Sequence, residues 1–131
     1  LYVMRFLIDT HIFLWFLEDN SGLSKKSRKI MENSTNMIFI STASFWEVTI
    51  KVSLKKLVLD IPLDKLFEEA KRLDFSTLNI HSNHLICLQT IPFLHKDPFD
   101  RLLIAQAKSE EMSLLSADNV FQKYEVDLIH N

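Results

Sequence analysis

Glycine occurs once in this chain of 131 residues, at Gly22. One glycine cannot build the phosphate cradles of Walker or dinucleotide-binding folds, which need several at fixed spacing. Cysteine also occurs once, at Cys87. That excludes an internal disulfide and a cysteine-based zinc site, fits a reducing cytoplasmic setting, and leaves Cys87 as a small core hydrophobe. Positive charge is not in excess: 15 Lys and Arg stand against 17 Asp and Glu, for a net charge of −2. A nucleic acid would therefore have to meet a local basic patch and not a global field. The longest apolar run, Ile12 to Leu17, falls far short of the roughly 20 residues that cross a bilayer, so no membrane role is expected. No basic, apolar and small-residue leader opens the chain, and Leu1 in place of methionine points to Met4 as the start. What is present is 47% hydrophobic content, enough for a core at a length that suits one domain and not two.

The apolar patterning alternates strands with helices. Arg5 to Ile8 reads as a buried strand and Thr10 to Glu18 as a buried helix, broken at Asn20-Ser21-Gly22. Ser24 can cap a basic helix through Met31, and Met37 to Ile40 is the next strand-like run. Helices are expected over Ser41–Leu57, Leu63–Leu73 and His81–Ile91, with a strand at Phe75–Ile80 between the last two. Pro98, at a favoured first helical position, opens the clearest helix, Pro98–Glu111. Ser113–Ser116 then reads as a strand, Asn119–Tyr124 as a short helix and Leu128-Ile129 as a last strand. Parallel neighbours need crossovers, and the crossover is usually a helix, so this order implies an α/β fold with a parallel sheet covered on both faces.

Ligands of open α/β sheets bind at the carboxyl ends of the strands, which directs attention to the acids there. Asp9 directly follows the first strand, and Asp118 lies two residues beyond Ser116. Each also suits a helix cap. Asp100 shares the i, i+3, i+4, i+7 face of Leu103, Ile104 and Ala107. An acid on an otherwise apolar face costs free energy unless it is paired, protonated or bound to a metal. First-turn placement near the positive end of the helix dipole accounts for it equally well, with Asp97 as the cap. Glu47 lies at the edge of the stripe Trp46, Ile50, Leu54 and Leu57, and its simplest use is an i, i+4 pair with Lys51. Taken together, these acids suggest a carboxylate-lined pocket suited to Mg²⁺ or Mn²⁺. Zinc is disfavoured, because His11, His81, His84, His95 and His130 form no i, i+4 helical pair and read as caps, loop or surface residues.

Four segments carry a resemblance: Leu7-Ile8-Asp9-Thr10-His11 with Leu14-Trp15; Ser41 to Lys51 (STASFWEVTIK); His95 to Ala107 (HKDPFDRLLIAQA); and Leu115-Ser116-Ala117-Asp118. In this order the chain resembles the PIN-domain family, specifically VapC-like toxins. The resemblance implies a three-layer α/β/α fold with a central, mainly parallel sheet, formed by residues 1–131 as one PIN domain. It implies a Mg²⁺- or Mn²⁺-dependent ribonuclease, the toxin of a toxin–antitoxin pair, with RNA as substrate, a cognate antitoxin as partner and, with the aromatic content, a homodimer. The family's motif acids fall on Asp9, Glu47, Asp100 and Asp118 and leave Asp97 outside. Thr10 matches a small hydroxyl residue that helps order the first acid, and Ser116 is placed to act likewise. One departure is Val52-Ser53-Leu54-Lys55-Lys56-Leu57, where many relatives carry a glycine before Lys-Leu.

The implied chemistry is attack of an activated water on a phosphodiester, with no covalent nucleophile. Lys25, Lys26, Arg28, Lys29, Lys51, Lys55, Lys96 and Arg101 are candidates for backbone phosphate contacts, and a solvated face explains each as well. Arg101, beside Asp100, leads these, with Lys51 and Lys96 next. Phe13, Trp15, Phe16, Phe45 and Trp46 read as core or dimer surface. A haloacid-dehalogenase-type phosphatase would need a second aspartate where His11 stands, and a receiver domain would need adjacent acids after the first strand. A non-catalytic acidic-pocket module on the same fold is the other reading, separable by a cleavage assay.

Overall fold

A computed structural model describes residues 3–131; Leu1 and Tyr2, with the reading of Leu1 that pointed to Met4, lie outside the described residues. Five strands, β1 (Arg5–Ile8), β2 (Met37–Ser41), β3 (Ser76–Leu78), β4 (Ser113–Ser116) and β5 (Leu128–His130), form one sheet in the order β3-β2-β1-β4-β5. Every pairing is parallel. The α-helices among the described residues are α1 (Thr10–Glu18), α2 (Lys25–Glu32), α3 (Thr42–Ser53), α4 (Leu63–Arg72), α5 (Ser82–Thr90) and α6 (Pro98–Glu110).

Side chains alternate across the sheet, and a hydrophobic cluster lies on each face. Phe6 and Ile8 of β1, Ile38 and Ile40 of β2 and Leu115 of β4 pack with Ile12, Phe13, Met31, Phe45, Val48, Leu66 and Ala70 from α1 to α4. Leu7 and Leu114 point the other way and join Leu103, Ile104 and Ala107 of α6, Ile91 beyond α5, and Phe121 and Tyr124. This is the expected three-layer α/β/α arrangement.

Several boundaries shift for identifiable reasons. Helix α3 stops at Ser53 and not Leu57, because Lys55 takes a left-handed backbone (φ 58°) and the Lys56 N–H returns to the Lys51 carbonyl. Glycine adopts that conformation without steric cost, so the residue expected before Lys-Leu suits the turn that Lys55 makes here. Asp19, Asp74 and Glu111 are also left-handed, whereas Gly22 is not. The stripe Trp46, Ile50, Leu54 and Leu57 is split: Trp46 and Leu54 are exposed, Leu57 packs against the core from beyond the helix, and Ala43, Ser44, Phe45 and Val48 make the buried face. The short helix after Asp118 is a 3-10 turn, Asn119–Lys123. Along α6 the expected face is buried, and so is every residue from Arg101 to Ala107.

The first strand, β1, lies at the sheet centre; the chain builds outward from it through β2 and β3, then returns to the other side of β1 to lay down β4 and β5. Direction reverses between β1 and β4, and the crevice beyond their carboxyl ends is where such sheets bind ligands.

Candidate functional site

Asp9 and Asp118 stand at that reversal point. The Asp9 N–H donates to the Leu115 carbonyl (3.1 Å), which fixes its backbone against β4. Its carboxylate caps α1 by accepting the Ile12 N–H at Oδ1 (2.9 Å), and Oδ2 accepts the hydroxyl of the fully buried Ser116. The Ser116 Oγ in turn accepts the Asp118 N–H (3.0 Å), so one hydroxyl ties both strand-end acids together. Asp118 Oδ1 caps the 3-10 turn through the Val120 N–H (3.0 Å). Capping and pocket placement coexist here, since a carboxylate has about four lone-pair positions and a cap uses one.

Helices supply the other two acids. The Thr10 hydroxyl donates to Glu47 Oε1 (2.8 Å), and Lys51 Nζ lies 3.1 Å from Oε2, the i, i+4 pair expected from sequence. Asp100 enters from the first turn of α6. Asp97 is the cap of that helix, accepting the Phe99 and Asp100 N–H groups. Asp100 Oδ2 lies 3.3 Å from His95 Nε2.

All four acids, with Thr10, His11, Lys51, Asp97 and Leu103, line one cavity of about 100 Å³. Five carboxylates thus face a single lysine. Electrostatics record the crowding. Asp100 is pushed up to about 7, by burial first and then by the charges of Asp97, Asp118, Glu47 and Asp9. Burial also raises the Asp9 carboxyl, against the opposing pull of the Ser116 and Ile12 hydrogen bonds.

An all-oxygen donor set whose members repel one another is what a hard divalent cation neutralises, so the chemistry fits Mg²⁺ or Mn²⁺. Among the described residues no group of three or more His, Cys, Asp or Glu is drawn tightly enough to hold an ion as it stands. Each acid is instead held by a neighbour: Glu47 by Thr10 and Lys51, Asp100 by His95, Asp118 by the Val120 amide.

The basic residues behave differently from one another. Lys51 lines the cavity, and Lys96 is exposed on the loop before Asp97. Arg101 departs from the phosphate contact expected of it. Its side chain is buried, Nη1 donates to the Pro92 carbonyl (2.9 Å) and reaches the Tyr124 hydroxyl (3.5 Å), and the guanidinium stacks over Phe93. Adjacency to Asp100 in sequence misled, because successive helical residues diverge by about 100°. His95, read from sequence as a loop or surface residue, is half-buried against Asp100 and Tyr124. A period-based reading passes over it, since His95 precedes the helix and Tyr124 is distant in sequence. No helix of the described residues is long and apolar enough to cross a membrane.

A model of the PIN domain matches residues 6–127. VapBC2 from Rickettsia felis, crystallised bound to a DNA fragment from its promoter, has a chain of similar fold: TM-score 0.72, 14% identity, 97% of this chain and 98% of that one covered. FitAcB from Neisseria gonorrhoeae gives TM-score 0.63 at 15% identity, with 96% of each chain covered. A domain of a functionally unknown protein from Methanocaldococcus jannaschii gives 0.55 at 16%, covering 98% and 91%. These likenesses concern the fold. No curated protein sequence matches the chain at a significant level.

Proposed function

The chain belongs to the PIN-domain family, and from that premise we propose that it is a Mg²⁺- or Mn²⁺-dependent endoribonuclease, the toxin of a toxin–antitoxin pair. One observation carries the nuclease reading: acids from four separate segments of the chain, Asp9, Glu47, Asp100 and Asp118, line one small cavity at the reversal point of the sheet. These four would hold the metal. A bound divalent ion supplies the charge that activates water and offsets the negative charge growing at phosphorus.

The chain's own residues set up that chemistry. Ser116 holds Asp9 and, through the Asp118 amide, keeps the two strand ends in register. Thr10 fixes one oxygen of Glu47. Lys51 neutralises the other oxygen and stands at the cavity wall, where it can meet a backbone phosphate. Lys96, exposed beside the site, is a second phosphate contact. The toxin role and the cognate antitoxin rest on the VapC-like motifs and on the fold shared with the VapBC2 and FitAcB chains; the homodimer rests on those motifs with the aromatic content, and a cytoplasmic location on the motifs with the single cysteine. A groove of about 300 Å³ with an apolar floor of Leu14, Leu17, Leu59, Ile61 and Leu66, rimmed by Glu18, Asp60, Lys65 and Glu69, offers surface apart from the four-acid cavity for a protein partner.

The test is cleavage of mixed RNA by the parent, Asp9→Asn and Asp100→Asn, in Mg²⁺, in Mn²⁺ and in chelator. Metal-dependent cleavage by the parent alone is expected. A parent that binds metal or RNA without cutting it would favour the non-catalytic acidic-pocket module.

A further inference from the structure

We infer that His95 is a positioning residue for Asp100, locked in one tautomer by Tyr124 and, behind it, by Arg101. The inference rests on the metal-dependent reading above and adds to it three residues that do not line the cavity.

The Tyr124 hydroxyl has one proton to donate and two lone pairs with which to accept. Two of its neighbours can only donate: the Leu94 N–H at 3.3 Å and Arg101 Nη1 at 3.5 Å. A guanidinium stays protonated at any pH the protein meets, so its demand on the phenol oxygen does not change. The third neighbour is His95 Nδ1, at 2.6 Å. With its lone pairs engaged by donors, the phenol directs its proton to that nitrogen. A neutral imidazole has one N–H and one acceptor nitrogen, so acceptance at Nδ1 places the ring proton on Nε2. That N–H faces Asp100 Oδ2 at 3.3 Å.

Each link is held in place. Tyr124 is buried and meets the His95 ring edge to face, with centroids 5.4 Å apart. Arg101 is fixed by the Pro92 carbonyl at 2.9 Å and by Phe93, whose ring centroid lies 4.3 Å from its Cζ. The outcome is a carboxylate with one directed donor on Oδ2 and its other lone pairs available to the cavity. The opposite tautomer would turn an imidazole lone pair toward Asp100 and rotate the carboxylate away. Outer partners of this kind fix the orientation of ligating groups, and their loss typically weakens metal affinity about 10–100-fold.

The test uses the full chain and three variants, Tyr124→Phe, His95→Ala and His95→Gln, with Asp100→Asn as reference. Ring-nitrogen NMR in the absence of metal, at about pH 8 where Asp100 is ionised, should show the Nε2–H form in the parent and a shift toward Nδ1–H in Tyr124→Phe. Calorimetric titration with Mn²⁺ should show Kd rising about 10–100-fold in Tyr124→Phe and His95→Ala. His95→Gln, whose amide N–H can reach the Nε2 position, should restore affinity to within a few-fold of the parent. Should Tyr124→Phe fail to fold, the two His95 variants carry the comparison. An Nδ1–H parent would overturn the inference, as would Mn²⁺ affinity unchanged in His95→Ala while Asp100→Asn loses it; the metal-site reading survives both. A parent that binds no Mn²⁺ would overturn the metal-site reading itself, and this inference with it.

Discussion

Replacing Asp100 with asparagine should stabilise the metal-free protein, by an amount that depends on pH in a definite direction. The folded-state pKa of Asp100 lies near 7 and its ordinary value is 3.8. At about 1.4 kcal/mol per pH unit, the fully ionised carboxylate destabilises the fold by about 4 kcal/mol at most. The side chain retains 21% of its exposure, so solvent screens part of this, and the acids can move apart. A gain of about 2 kcal/mol is the working expectation.

The direction follows from proton counting. Between pH 3.8 and 7 the folded state holds the Asp100 proton while the unfolded state has released it. Parental stability therefore falls as pH rises through that window and levels off above it. Asparagine has no such dependence and keeps an oxygen for His95. Urea unfolding in chelator, from about pH 4 to about pH 8, should show parent and variant converging at the acid end and separating by about 2 kcal/mol at the alkaline end. A gap that does not change with pH, or a variant less stable than the parent at pH 8, would refute the account of a carboxylate cluster under repulsion.

Three further outcomes are expected. Mn²⁺ should raise the melting temperature of the parent, by about 2.7 kcal/mol in stability at a hundred times Kd, and barely move Asp9→Asn or Asp100→Asn; thermal scans with and without chelator check this. Ser116→Ala should cost about 1–3 kcal/mol in chemical denaturation and most of the RNA cleavage, because the Asp118 N–H loses its acceptor and Asp9 loses the donor that opposes its burial. Lys55→Gly should stabilise the fold by about 0.5–1 kcal/mol with cleavage unchanged, since glycine relieves the left-handed backbone at that turn; a loss of stability in the same assay would mean the lysine side chain contributes more than the strain costs.

Much of the architecture is legible in the residues. The alternation of strands and helices, Ser24 and Asp97 as caps and the buried face of α6 follow from periods and capping chemistry that act over a few residues. The same local rules placed Asp9 and Asp118 at strand ends, and the motif resemblance chose the four acids. Local rules could not say that one carboxylate serves as both cap and cavity wall. Asp9 meets Ser116 only because β1 and β4 are neighbours in the sheet, across 107 positions of sequence. Nor could they place Arg101, whose charge suggests phosphate but whose position on a helix buried almost all round sends it to Pro92 and Tyr124. Nor could they choose for Trp46 between core and surface: its stripe has helical spacing, but α3 turns Phe45 and Val48 to the sheet and leaves Trp46 exposed. The His95–Tyr124–Arg101 network joins residues from a loop, the end of a 3-10 turn and a helix, and no sequence period connects them. Hydrophobic period and caps fix elements because their causes are local, whereas the charge environment of Asp100 is set by acids brought close through space, which only the folded sheet does.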